Sequence, residues 1–183
     1  MRLQFTGAPE IAATRQHVWV RLMDPQFVAG SAPGVELVET IDATQYRVIS
    51  AFGVGAVKVR FTLHVELFEV IEPERAKLRA RGKAPGSNVD VVAAVQLEEA
   101  AAGLVRLNWT ADTDVSGTVA SVGARLLEGT ARKLTEQFWQ DFARRVTAVE
   151  AAAAPPAAPT PPPTATAAPN GPEGPGAPPP DPA

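Results

Sequence analysis

From Val57 to Leu67 apolar and polar residues alternate without a break. Val57, Val59, Phe61, Leu63, Val65 and Leu67 fall on one side; Lys58, Arg60, Thr62, His64 and Glu66 fall on the other. A period of two is the mark of a strand with one buried face. The pattern repeats three times downstream. RAKLRARGKA sets Ala76, Leu78, Ala80, Gly82 and Ala84 against Arg75, Lys77, Arg79, Arg81 and Lys83. NVDVVAAVQLE and LVRLNWTADTDV alternate in the same way, with Val91, Ala93, Leu107 and Trp109 inward. The turn-forming segments IEPER, APGSN and EEAAAG separate these runs, so consecutive strands form an antiparallel meander. VELVETI and YRVISAFGVG start it, and FGVGAV reads as a tight hairpin turn.

Before the meander the pattern predicts a strand at Arg2–Gly7, a helix capped by Thr14, and a second short helical turn at DPQFVAGSAPG. After it comes GTVASVGARLLEGTARKLTEQFWQDF, which reads as one long helix from Gly117. Its inward positions run through Val119, Val122, Leu126, Leu127, Thr130, Leu134, Phe138, Phe142, Val146 and Val149. A sheet with one apolar face must bury it, and this helix is the one element long enough to do so. The predicted fold is α+β: a curved antiparallel sheet gripping a long C-terminal helix, with two short helices after the first strand.

The first half of that helix carries Gly117, Gly123 and Gly129, and the facing strands carry Ala76, Ala80, Gly82, Ala84 and Ala93. Small residues on opposing surfaces have two meanings: close helix–sheet approach, or an apolar cavity for a small molecule. A cavity there would be walled by Phe61, Leu63, Leu78, Ala80, Val91, Ala93, Leu107, Trp109, Val122, Gly123, Leu126, Leu127 and Thr130. Trp109 is either a core block or a flat wall against a ligand.

Composition divides the chain of 183 residues. Residues 151–183 are nearly all Ala, Pro, Thr and Gly and hold thirteen of the eighteen prolines, which predicts a disordered or polyproline-like tail. Residues 1–150 are then one domain. They hold all 17 Lys and Arg and all of the 20 Asp and Glu except Glu173 and Asp181, so they are nearly neutral. Bulk charge therefore gives no case for nucleic acid. With no cysteine, disulfides and thiolate chemistry are excluded. MRLQFTGAPE has no signal-peptide pattern, and no run of about 18 apolar residues is present to span a membrane.

Candidate chemistry is sparse. His17 and His64 sit on different elements and read as surface histidines, with no converging ligand set for a metal. Asp112 and Asp114 read as outward carboxylates. The stripe Arg75, Lys77, Arg79, Arg81 and Lys83, joined by Lys58 and Arg60, is either a solubility and edge-protection device or a docking surface for an acidic partner or anionic lipid. No aromatic residues interleave with it as a single-strand nucleic-acid platform would require.

APGVEL (32–37), GVGAVKVRF (53–61) and above all DVSGTVASVGARLLEGTARKLTEQFWQDF (114–142) resemble the carbon monoxide dehydrogenase G-subunit family, within the START-like (SRPBCC) helix-grip superfamily. The resemblance covers about residues 1–148. It implies a non-enzymatic accessory protein that recruits molybdenum CO dehydrogenase to the cytoplasmic membrane, with a lipid or a menaquinone-like isoprenoid quinone in its cavity and no covalent cofactor. It further implies a cytoplasmic location, peripheral at the inner face of the cell membrane. Many members end in a hydrophobic anchor; APPPDPA has none, leaving peripheral contact or a shortened chain. The alternative is a cyclase- or hydratase-type enzyme of the same fold, which two converging titratable side chains in the pocket would favour.

Overall fold

A computed structural model describes residues 1–153; the predicted tail from residue 154 onward lies outside the described residues. The chain runs β1 (Arg2–Gly7), β2 (Glu10–Ile11), α1 (Arg15–Leu22), α2 (Pro25–Ser31), β3 (Val35–Thr40), β4 (Gln45–Val54), β5 (Val57–Ile71), β6 (Arg75–Ala84), β7 (Ser87–Ala101), β8 (Leu104–Gly117) and α3 (Ala124–Ala153). One antiparallel sheet has the order β1-β8-β7-β6-β5-β4-β3, with β2 also paired to β8. The meander is continuous from β3 to β8, and β1 closes the far edge against β8. This is the expected helix-grip architecture, with α3 laid across the concave face. α3 continues to Ala153, three residues past the predicted domain boundary.

Local chemistry sets the short helices. The Thr14 hydroxyl accepts from the His17 amide at the start of α1. Asp24 caps α2 by accepting from the Gln26 and Phe27 amides, and Pro25 occupies the first helical turn, where its missing N–H costs nothing. α1 buries Val18 and Trp19. The Arg145 guanidinium then ties α2 to α3: Nη1 donates to the Phe27 carbonyl at 2.6 Å and to Ser31 Oγ at 2.7 Å, and the group stacks 4.2 Å over the Phe27 ring. Gly30 makes this possible, since a Cβ there would lie 2.8 Å from Nη1.

The core has two parts. One is closed around Ile11, Val18, Trp19, Leu107, Phe142 and Val146 beneath the second half of α3. The other is built from Leu3, Val54, Phe61, Val115, Val119 and Leu127 at the first half. An aromatic chain runs through the first part: Phe27 meets Phe142 edge-on, Phe142 meets Trp139, and Trp139 meets Trp109 with centroids 5.9 Å apart.

The long helix starts later than its pattern predicts. Gly117 closes β8 at φ +81°, where a Cβ would sit 1.9 Å from the Gly86 carbonyl oxygen. A short 3-10 turn at Ala120–Val122 follows, and Gly123 at φ +95° and ψ 150° introduces α3. Neither glycine is inside the helix; both serve backbone conformations closed to other residues. Gly129 alone is in α3, and a Cβ there would meet no atom within 4 Å. It points away from the sheet, so it leaves no room for a ligand.

Candidate functional site

Between the concave face and the first half of α3 lies an apolar chamber of about 310 Å³. Leu3 and Phe5 of β1, Phe52 and Val54 of β4, Phe61 of β5, Val89 and Val91 of β7, and Trp109, Ala111, Thr113 and Val115 of β8 form its sheet side. Val119, Leu127, Thr130, Ala131, Leu134 and Thr135 form the helix side. None of these side chains titrates near neutrality, and the polar atoms are confined to three threonine hydroxyls and one indole N–H.

Two further hollows adjoin it. One, of about 540 Å³, lies between β1 and the middle of α3, with Gln4, Thr6, Glu10, Arg132, Glu136 and Gln140 among its residues. The other, of about 370 Å³, lies across α3 beneath the α2–β3 connection, lined by Pro33, Val48, Leu63, Val65, Phe138 and others. Trp109 and Thr135 border all three spaces. The indole is therefore a partition between them, a role intermediate between a core block and a ligand wall.

Of the predicted cavity residues, Phe61, Val91, Trp109, Leu127 and Thr130 line the chamber, and Leu63 lines the hollow beyond Trp109. The others do not. Leu107 is fully enclosed in the closed part of the core. Leu78, Ala80 and Ala93 point inward but lie outside the chamber wall. The lean strand β6 is covered instead of left open: a Cβ on Gly82 would lie 2.5 Å from Val89 Cγ1 and 3.4 Å from Leu63 and Phe61. Larger neighbours lean over the small residues and fill the space, which is close packing. Val122 packs at the rim, Gly123 is a turn, and Leu126 is 43% exposed against the Gly55 hairpin. The strand at Arg2–Gly7 is where the pattern predicts, but its place in the chamber wall is not legible in it: Leu3 and Phe5 alternate with Arg2, Gln4 and Thr6, and a six-residue strand far from β8 in sequence gives no sign of pairing there. The sequence reading also overlooked Ala111, Ala131 and Trp139.

The convex face carries the basic stripe as the alternation predicts. It is partly neutralised. Lys77 pairs with Glu69 at 2.6 Å, Arg81 with Asp90 at 3.5 Å, and Arg60 with Glu36 at 2.7 Å. Lys58, Arg75, Arg79 and Lys83 have no ion-pair partner among the described residues. A groove of about 710 Å³ on this face includes Arg75 and Lys77. His64 is exposed on the same face. His17 differs from its expected solvated state: Nδ1 contacts the Glu150 carboxylate, and Arg21 Nε donates to Nε2 at 3.5 Å, which joins α1 to the end of α3. Asp112 and Asp114 are exposed, and Asp112 accepts from the Gln4 side chain at 2.5 Å. Among the described residues no cluster of three or more His, Asp or Glu is placed to hold a metal. No described helix is long and apolar enough to cross a membrane.

Solved structures share this architecture. A conserved protein from Geobacillus kaustophilus is 26% identical with a TM-score of 0.75, over 80% of this chain and 96% of that one. The Zhui aromatase/cyclase from Streptomyces sp. R1128 is 17% identical at TM-score 0.64, over 84% and 99%. A START superfamily protein from Mycobacterium smegmatis is 11% identical at TM-score 0.64, over 80% and 98%. The last two establish the fold alone. No match is found among curated proteins. Residues 7–147 match the family of CoxG, the G-subunit of carbon monoxide dehydrogenase, and with that match running from the end of β1 through most of α3, the chain belongs to the CoxG family.

Proposed function

We propose that this protein is an accessory ligand carrier for a molybdenum CO dehydrogenase, holding a lipid or an isoprenoid quinone in the chamber and docking at the inner face of the cell membrane. The observation that carries the reading is the chamber itself, about 310 Å³ lined by apolar side chains and threonines, with no acid or base aimed into it. Such a lining binds by removing apolar surface from water, at about 25 cal/mol per Å². It provides no pair of groups for general acid–base work, which favours carriage over the cyclase or hydratase alternative. The family name supports the enzyme partner. The unpaired cations of the convex stripe support contact with an acidic partner or anionic lipid, each being worth roughly 1 kcal/mol at a charged membrane surface.

The test is native mass spectrometry of the freshly purified full chain with lipid extraction, followed by titration with a short-chain menaquinone and a binding assay against CO dehydrogenase. Co-purified lipid or quinone, saturable at one site per chain, is the expected result. A chain that carries no apolar molecule, takes up none and does not associate with the enzyme overturns the reading.

A further inference from the structure

Two buried hydrogen-bond donors stand beside the β1–α3 hollow, which both rings line, and Trp109 also borders the chamber. Trp109 Nε1 and Trp139 Nε1 are both enclosed, and neither has a hydrogen-bond partner among the described residues. Buried donors are nearly always satisfied, and an unmade one is costly. Here two occur on adjacent rings, 5.9 Å apart and inclined by 33°. Trp109 Nε1 lies against the end of β1, and glycine at position 7 leaves room for it: a Cβ there would lie 2.6 Å from the nitrogen.

Polarity changes across the same point. The β1 side is bordered by Gln4, Thr6, Glu10, Arg132, Glu136 and Gln140. On the chamber side, Phe5, Phe61, Val91 and Leu127 present only hydrocarbon. We infer that the ligand is an amphiphile whose oxygen-bearing head accepts hydrogen bonds from the Trp109 and Trp139 indoles at the β1–α3 gap, while its apolar chain fills the chamber. An indole N–H donates only, so it recognises a carbonyl or ester oxygen and not an ammonium group. The inference rests on the carrier reading and adds to it the head-group chemistry, its orientation, and two specificity-determining residues.

The experiment uses the full chain and two matched ligand pairs. One pair is a short isoprenoid naphthoquinone and the naphthalene bearing the same chain without carbonyls. The other is a fatty acid methyl ester and an alkane of equal length. Affinities are measured for wild type, Trp109→Phe and Trp139→Phe, which keep the aromatic face and remove the donor. Wild type is expected to favour a carbonyl ligand over its hydrocarbon partner by roughly thirtyfold, the yield of two net hydrogen bonds at about 1 kcal/mol each. Trp109→Phe and Trp139→Phe are each expected to cut that ratio to roughly fivefold, one hydrogen bond remaining, while hydrocarbon binding persists. Independently of any variant, the indole N–H proton resonances of the wild-type protein should move downfield with the carbonyl member of a pair and not with the other. The pair that shows the preference tells a quinone head from an acyl ester. Equal affinity within both pairs, or a ratio that neither substitution lowers, overturns the inference and leaves the carrier reading standing. Failure of all four probes to bind overturns both.

Discussion

Replacing Ala131 by leucine distinguishes a chamber from a close-packed interface by the sign of its effect. Ala131 is on the face of α3 that borders the chamber. Leucine and alanine differ little in helix propensity, so packing decides the outcome. The change adds three carbon groups. If they enter unfilled apolar space, their burial contributes about 2.4 kcal/mol at about 0.8 kcal/mol each. Ordering the side chain costs about 0.5–1 kcal/mol, which leaves about 1.5–2 kcal/mol of stabilisation. For a domain of this size that raises the melting midpoint by about 3–8 °C. A ligand chain displaced from the same volume loses a comparable amount of burial, or about fiftyfold in affinity. The paired control is Ala80→Leu. Ala80 is only 7% exposed on β6 and borders none of the concave-side spaces. Leucine there overpacks the sheet and costs about 1–3 kcal/mol, lowering the midpoint by about 2–12 °C. Calorimetry of the two variants and titration with a short-chain menaquinone check both outcomes. Ala131→Leu melting below wild type with unchanged affinity would refute the chamber as the binding site.

Three more outcomes follow from particular residues. Gly129→Ala should raise stability by about 1 kcal/mol, because the added methyl meets open space within a helix, whereas Gly123→Ala should lower it by about 1–3 kcal/mol at φ +95°; denaturant titration of the two reports whether these glycines serve backbone or cavity. Burial pushes the Tyr46 phenol up to about 12, above its ordinary value of 10. The unfolded chain therefore loses this proton first, and folded stability should be unaffected below pH 10 and fall between pH 10 and 12 by at most about 2–3 kcal/mol. Tyr46 is the single tyrosine, so the ultraviolet signal of tyrosinate reads the shift directly; a midpoint near 10 in the folded protein would refute it. Reversing Arg75, Arg79 and Lys83 together to glutamate should weaken association with CO dehydrogenase or anionic vesicles and reduce its salt sensitivity, while reversal of the paired Lys77 and Arg81 should do less, as measured by sedimentation at two ionic strengths.

What the sequence by itself determined is local. Alternation of period two from Val57 to Leu67 and from Arg75 to Ala84 assigned each side chain to its face, and the structure keeps those faces. Turn chemistry at APGSN and EEAAAG forced consecutive strands to pair, and Asp24 followed by Pro25 started α2 where the pattern predicts. These follow because pleat, cap and turn depend on neighbours a few residues away. Tertiary structure decided what depends on distant chain. Gly117 looks like a helix residue until Gly86 closes on it at the end of β8, and Gly123 until the turn that introduces α3 takes it to φ +95°. The lean strand β6 looks like one wall of a cavity until Val89, Leu63 and Phe61 converge over Gly82. The chamber lies instead beside β1, because the Leu3 and Phe5 strand closes on β8 more than a hundred residues later, with Arg2 opposite Asp114. A void is a property of side chains that fail to meet, and which chains meet is settled by strand order and by the crossing of α3. The unpaired stripe cations and the two unmet indole donors are likewise facts of juxtaposition: alternation put the cations on one face, and only register decided that Asp90 and Glu69 neutralise two of them.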